Sequence, residues 1–212
     1  MSFSGLMDRL CVQADRALKV LTPGVVQAHR PYPATEMNSQ PMSSEQRQHV
    51  IGLMKVNHAG EICAQALYEG QALTAKTAGT AQAMLEAARE EEDHLAWCET
   101  RLAHLEAKPS LLNPIFYGGS FAMGALAGAI GDRWSLGFVE ETERQVCTHL
   151  DAHLGSLPDN DHETRAVLVQ MREDEAAHGD AANALGASEL PGLIRLAMTS
   201  LSKVMTWSVY RV

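Results

Sequence analysis

Two stretches of this chain carry the same set of metal-ligand residues: Glu61 with Glu91-x-x-His94, and Glu143 with Glu175-x-x-His178. The lone Glu precedes the paired Glu by 30 residues in one copy and by 32 in the other. Residues i and i+3 share a helix face, so each Glu-x-x-His can grip one metal ion from one side. Four carboxylates and two imidazoles form the ligand set with which carboxylate-rich helix bundles hold two iron or manganese ions. The set contains no thiolate, which disfavours iron–sulfur clusters and structural zinc. Of the nine histidines, only His94 and His178 have a Glu three residues earlier.

Such ligands must be brought together by antiparallel helices. A lone Glu that faces its paired Glu across a hairpin requires a turn midway between them. The midpoints are residue 76, beside Thr77-Ala78-Gly79-Thr80, and residue 159, inside Leu157-Pro158-Asp159-Asn160-Asp161. Both fall on turn residues, and neither was needed to find the ligands. A capping box at Ser43-Ser44-Glu45-Gln46 predicts a first long helix running to about Ala78. A second is expected from about Thr80 to Lys108, a third over Asp132–Gly155, and a fourth over His162–Leu185, stopped by Gly186. Residues 1–21 have the apolar spacing of an amphipathic helix, and Pro23, Pro31, Pro33 and Pro41 mark a linker. The expected fold is all-α, a ferritin-like four-helix bundle of two antiparallel hairpins with a long apolar crossover and extra N- and C-terminal helices. In this division, residues 1–43 form the N-terminal helix and linker, and residues 44–212 the bundle.

At 212 residues the chain suits one domain, and its 5% aromatic content favours packed helices over sheet. A net charge of −9 argues against a nucleic-acid partner. The four cysteines lack zinc or redox spacing and are expected as reduced thiols in a cytosolic setting, with Cys147 a small buried apolar group. No charged-then-apolar leader opens the chain, so secretion is unsupported.

Residues 109–131 contain no charged side chain. The segment is long enough to span a bilayer. Asn113-Pro114, Tyr117-Gly118-Gly119-Ser120 and the need for both hairpins to meet at one site point instead to a crossover, either buried or dipping into a membrane surface. Residues 190–210 are apolar apart from Arg195 and Lys203, with Arg211 just beyond and Trp207 and Tyr210 near the end. This suits an interfacial helix, with a fifth core helix as the alternative. Together the two segments favour membrane contact.

In the simplest assignment Glu61 and His94 hold one metal, Glu143 and His178 hold the other, and Glu91 and Glu175 bridge. Ligand histidines need a partner on their second ring nitrogen. Glu90 and Asp174, each just before a bridging Glu, could accept that N–H from the histidine of the opposite hairpin; plain surface charge is the alternative. His149, six residues after Glu143, is expected near the cavity as a supporting or core histidine.

The segments Asn57-His58-Ala59-Gly60-Glu61, Glu91-Glu92-Asp93-His94-Leu95, Glu141-Thr142-Glu143-Arg144-Gln145-Val146 and Asp174-Glu175-Ala176-Ala177-His178 resemble the demethoxyubiquinone hydroxylases, as does Trp134-Ser135-Leu136-Gly137-Phe138. The resemblance covers residues 44–212 and includes all six ligand positions. It implies two Fe ions per subunit and hydroxylation of 2-polyprenyl-3-methyl-6-methoxy-1,4-benzoquinol by O2. It also implies a peripheral place on the cytoplasmic face of the cell inner membrane, where such a quinol resides. The electron donor, NADH or a separate reductase, stays open, because no Gly-rich dinucleotide fingerprint is present. Other ubiquinone-biosynthesis proteins are allowed as partners. The competing readings are a ferritin-like iron-storage or peroxide-scavenging protein and a metal-free membrane adaptor.

Overall fold

A computed structural model describes residues 3–34 and 41–212. Among them lie seven α-helices and no strand: α1 (Phe3–Leu21), α2 (Ser44–Thr74), α3 (Ala78–His104), α4 (Asn113–Ile130), α5 (Asp132–Ser156), α6 (His162–Ala184) and α7 (Gly192–Val209). α2 packs on α3 and α5 on α6, giving a ferritin-like bundle of two hairpins with α4 as the crossover.

The N-terminus of α2 is the expected capping box, with Ser43 and Gln46 satisfying each other's backbone N–H groups. Both hairpin turns contain the expected midpoints, over residues 75–77 and 157–161. The boundaries between α2 and α3 differ from expectation. α2 stops at Thr74, not Ala78, because Ala75 turns to extended backbone, and α3 begins at Ala78 because Thr77 Oγ1 accepts from the Thr80 N–H. α3 ends four residues before Lys108: Glu106 adopts a left-handed φ of 53°, and the Ala107 N–H turns back to the Leu102 carbonyl. Gly186, φ 93°, ends α6 in the same way.

α4 is helical straight through Tyr117-Gly118-Gly119-Ser120, with Asn113-Pro114 in its first turn. α4 lies almost backbone to backbone on α2. A Cβ on Gly124 would collide with the Leu67 carbonyl, one on Gly70 with the Phe121 carbonyl, and one on Gly128 with the Gln71 carbonyl and Thr74 Oγ1. Two polar bonds fix the register: Thr74 Oγ1 donates to the Ala125 carbonyl at 2.8 Å, and Tyr117 Oη to Glu69 Oε2 at 2.7 Å. The opposite face of α4 leaves Ile115, Leu126 and Ile130 exposed. No helix among the described residues is long and apolar enough to cross a membrane.

One core cluster joins Val50, Leu53 and Met54 of α2 to Trp97 and Leu102 of α3, Leu150 of α5, and Leu168 and Met171 of α6. Beyond it the buried Arg101 fastens α3 to the start of α6, donating to Thr164 Oγ1 at 2.7 Å, Asp161 Oδ1 at 2.9 Å and the Glu163 carboxylate. Val20 and Val26 bring the end of α1 and the following linker onto Ile62, Ala66, Leu95 and Tyr117. α7 is no fifth core helix. Val209 is its buried residue, while Leu193, Leu196, Leu201, Val204 and Trp207 face outward.

Candidate metal centre

Each ligand candidate comes from one wall of the bundle: Glu61 from α2, Glu91 and His94 from α3, Glu143 from α5, Glu175 and His178 from α6. Glu61, Glu91, His94, Glu175 and His178 meet in the interior. His94 Nδ1 lies 2.8 Å from Glu91 Oε2, 3.1 Å from Glu175 Oε1 and 3.6 Å from Glu61 Oε2. His178 Nδ1 lies 3.2 Å from Glu175 Oε2 and 3.3 Å from Glu91 Oε1. Glu91 and Glu175 therefore each offer one oxygen to His94 and the other to His178. Glu61 faces the His94 side. Ligand atoms of Glu61, Glu91, His94 and Glu175 all lie within 4.8 Å of one another.

The outward ring nitrogens are held across the bundle. His94 Nε2 is 2.9 Å from Asp174 Oδ2, and His178 Nε2 is 2.7 Å from Glu90 Oε2. Each hairpin thus supplies the acid that orients the histidine of the other, leaving Nδ1 directed at the carboxylates. His149 packs at a tilt against His153, ring centroids 3.8 Å apart, and burial lowers its pKa; no hydrogen bond or ion pair links it to the six residues among those described.

Three further side chains complete the surroundings. Tyr68 donates to the Glu143 carboxylate; it lies seven residues after Glu61, two turns along the same face of α2, a spacing that could have flagged it. Trp97 packs beside His94, ring centroids 5.5 Å apart. Arg30, from the Pro-rich linker, donates to Asp174 Oδ2 at 2.7 Å and to Asp93 Oδ2 at 2.7 Å. No local pattern announces it.

Five of the six candidates are buried and His178 nearly so, an arrangement of four acids against two imidazoles that is costly without added positive charge. Burial, with the Glu175 and Glu91 charges added, pushes Glu61 up to about 8 despite His94. Burial and the neighbouring Glu175 raise Glu143 well above the carboxylate range. Glu91 goes the other way: burial is outweighed by His94 and His178, which hold it below the usual range. Despite burial, the facing carboxylates raise His94 strongly and push His178 up to about 12. Asp174 is lowered by His94 and Arg30 in spite of its burial. The two imidazoles thus offset only part of the carboxylate charge, the rest of which metal cations would neutralise. Glu143 Oε2 is buried with no hydrogen-bond partner among the described residues. The oxygen-rich donor set fits iron or manganese.

Residues 48–209 match the family described as ubiquinone biosynthesis protein COQ7. Among curated proteins, the chain is 54% identical to a 3-demethoxyubiquinol 3-hydroxylase of Alcanivorax borkumensis, covering 97% of this chain and 96% of that protein. A protein of the same name from Stutzerimonas stutzeri is 55% identical over 97% and 95% of the two chains, and one from Ralstonia pickettii 51% identical over 98% and 100%. With a match over most of its length and a buried Glu and Glu-x-x-His set on each hairpin, this chain belongs to the COQ7 family of ubiquinone biosynthesis proteins.

Proposed function

We propose that this chain is a membrane-associated di-iron monooxygenase that hydroxylates the ring of 2-polyprenyl-3-methyl-6-methoxy-1,4-benzoquinol. The observation that carries the reading is the placement of Glu91 and Glu175, each directed at both His94 Nδ1 and His178 Nδ1. Glu61 and His94 would hold one iron, Glu143 and His178 the other, with Glu91 and Glu175 shared. Two irons bound there would supply the activation of O2. The reaction places one oxygen atom of O2 on the ring and reduces the other to water. It consumes two electrons from a donor such as NADH or a reductase, with the two protons for water supplied by that donor and the solvent.

The chain's own contribution is positioning and exclusion of water. Asp174 and Glu90 keep the proton on Nε2 of His94 and His178, so that Nδ1 is free to ligate. Tyr68 orients Glu143. The exposed apolar faces of α4 and α7 support contact with a lipid surface in which a polyprenyl quinol dissolves; the cytoplasmic face of the inner membrane is the side that family resemblance implies.

The test is mass spectrometry of lipid quinones from cells lacking the protein, with a Glu175→Ala variant as complement. Build-up of the demethoxy precursor, relieved by the wild-type chain and not by a folded Glu175→Ala protein, supports the reading. Unchanged quinones would remove it. Iron uptake without affinity for liposomes would favour storage or peroxide scavenging.

A further inference from the structure

Glu90 and Asp174 occupy equivalent places in the two hairpins, but their surroundings differ. Asp174 Oδ2 is shared between His94 Nε2 at 2.9 Å and an Arg30 N–H at 2.7 Å, while its Oδ1 accepts from Gln170 Nε2 at 3.1 Å. Arg30 is itself anchored. Its Nε bonds Asp93 Oδ2 at 2.7 Å, its guanidinium lies 4.8 Å from the Trp97 ring centroid, and the His29 and Arg30 backbone N–H groups both donate to Asp93 Oδ1. Trp97 in turn packs on His94. The His94 ring is therefore held on its edge and its face, and its side chain is 0% exposed. Glu90 has His178 as its one hydrogen-bonding or ionic partner among the described residues, and its side chain is 61% exposed. The His178 side chain is 13% exposed.

We propose that Arg30, carried by the linker ahead of the bundle, is a positioning residue for the metal position built on His94, and that it makes the two positions unequal in release. The inference rests on the di-iron reading above. A ligand histidine lets its metal go when the ring swings away. An acid gripped by a guanidinium cannot follow a swinging ring, so the His94 ring leaves only by breaking its charge-assisted bond to Asp174. The His178 ring is steered by one solvent-exposed glutamate and has no such restraint. The iron on the His178 side is the exchangeable one, and the iron on the His94 side is the retained one.

The experiment uses the full chain loaded with ferrous iron and follows release to a coloured ferrous chelator. Wild-type protein is expected to release its iron in two phases of similar amplitude. Arg30→Gln should accelerate the slow phase roughly 10–100-fold, the usual size of effect for a lost partner of a ligand histidine, and leave the fast phase in place. Glu90→Gln, at an exposed position that does not threaten folding, should accelerate the fast phase alone. Equal acceleration of both phases by Arg30→Gln would mean general loosening and overturn the proposal, as would a slow phase that responds to Glu90→Gln. Should Arg30→Gln fail to fold, wild-type and Glu90→Gln release still decide. Two irons leaving the wild type in a single phase overturn this inference but not the di-iron reading, whereas a chain that takes up no iron overturns both.

Discussion

Tyr68 on α2 donates its phenolic hydrogen bond to Glu143 on α5, joining the two hairpins inside the carboxylate-lined interior. Glu143 is buried, and its second oxygen has no partner among the described residues. Tyr68→Phe would strip the first oxygen as well. The metal-free protein is expected to lose about 1–3 kcal/mol, the cost of an unsatisfied buried polar group. With iron bound the loss should shrink, because the metal then satisfies Glu143. Denaturant unfolding of both forms checks this, and an equal loss with and without iron would count against Glu143 as a ligand.

Metal-free protein should become less stable as pH rises. Glu61 is raised from 4.5 to about 8, so its contribution is full below the unfolded value and disappears as pH climbs through the folded one. Glu143 is raised too and acts in the same direction. His178, raised from 6.5 to about 12, contributes fully below 6.5 and less at every step above it; His94 has the same sign. Glu91 and Asp174 are lowered, so they cost stability only when pH falls below the ordinary carboxylate range. Thermal unfolding of the metal-free chain is therefore expected to shift downward from about pH 5 to about pH 8. Ferrous iron needs deprotonated ligands, so its stabilising effect should grow over the same interval. A metal-free unfolding temperature that rises with pH would contradict the arrangement.

Gly124→Ala should destabilise the bundle by about 1–3 kcal/mol or more. The added methyl meets the backbone of α2 at Leu67, which cannot move aside as a flexible side chain can. Gly118→Ala, where nothing lies within 4 Å, is the matched control and should be neutral or slightly stabilising. Comparison of the two unfolding midpoints decides the matter, and similar losses would mean that the close approach of α4 to α2 is not what limits this position.

Leu196→Glu and Trp207→Glu should weaken binding to anionic vesicles, on the order of tenfold each, with little change in unfolding temperature. Both side chains already face outward on α7, so folding does not depend on them. Arg195, Lys203 and Arg211 on the same segment predict weaker binding at higher salt. Co-sedimentation with vesicles measures both effects. Unaltered binding by both variants would place the lipid contact elsewhere.

The ligand pattern and the hairpins were readable in sequence because their signals are local. The three-residue step in Glu91-x-x-His94 is a helix-face rule, and the turns around Lys76 and Asp159 lie beside residues that terminate helices. The same register brings Asp174 beside His94 and Glu90 beside His178. Misplaced boundaries had local causes as well: Ala75 and Lys76 are acceptable helix residues, and it is the Thr77 cap that ends their turn. In α4 tertiary packing overrode propensity. Gly118 and Gly119 are poor helix formers, yet the contact of Gly124 and Gly128 with α2 accompanies a helix that runs through them. Arg30 was unreadable for a different reason. Its partners Asp93 and Asp174 are distant in sequence, and the linker that carries it has no periodicity to interpret.

The crossed acids also constrain how this protein can be made. A nascent chain that has completed only α2 and α3 carries Glu61, Glu91 and His94, but the carboxylate that orients His94 has yet to be translated. Glu90 waits in the same way for His178. Each hairpin carries three of the six expected ligands but lacks the acid that would orient its histidine, so tight iron retention is expected only after α6 has docked. Tight iron retention by a chain truncated before α5 would contradict this order of events.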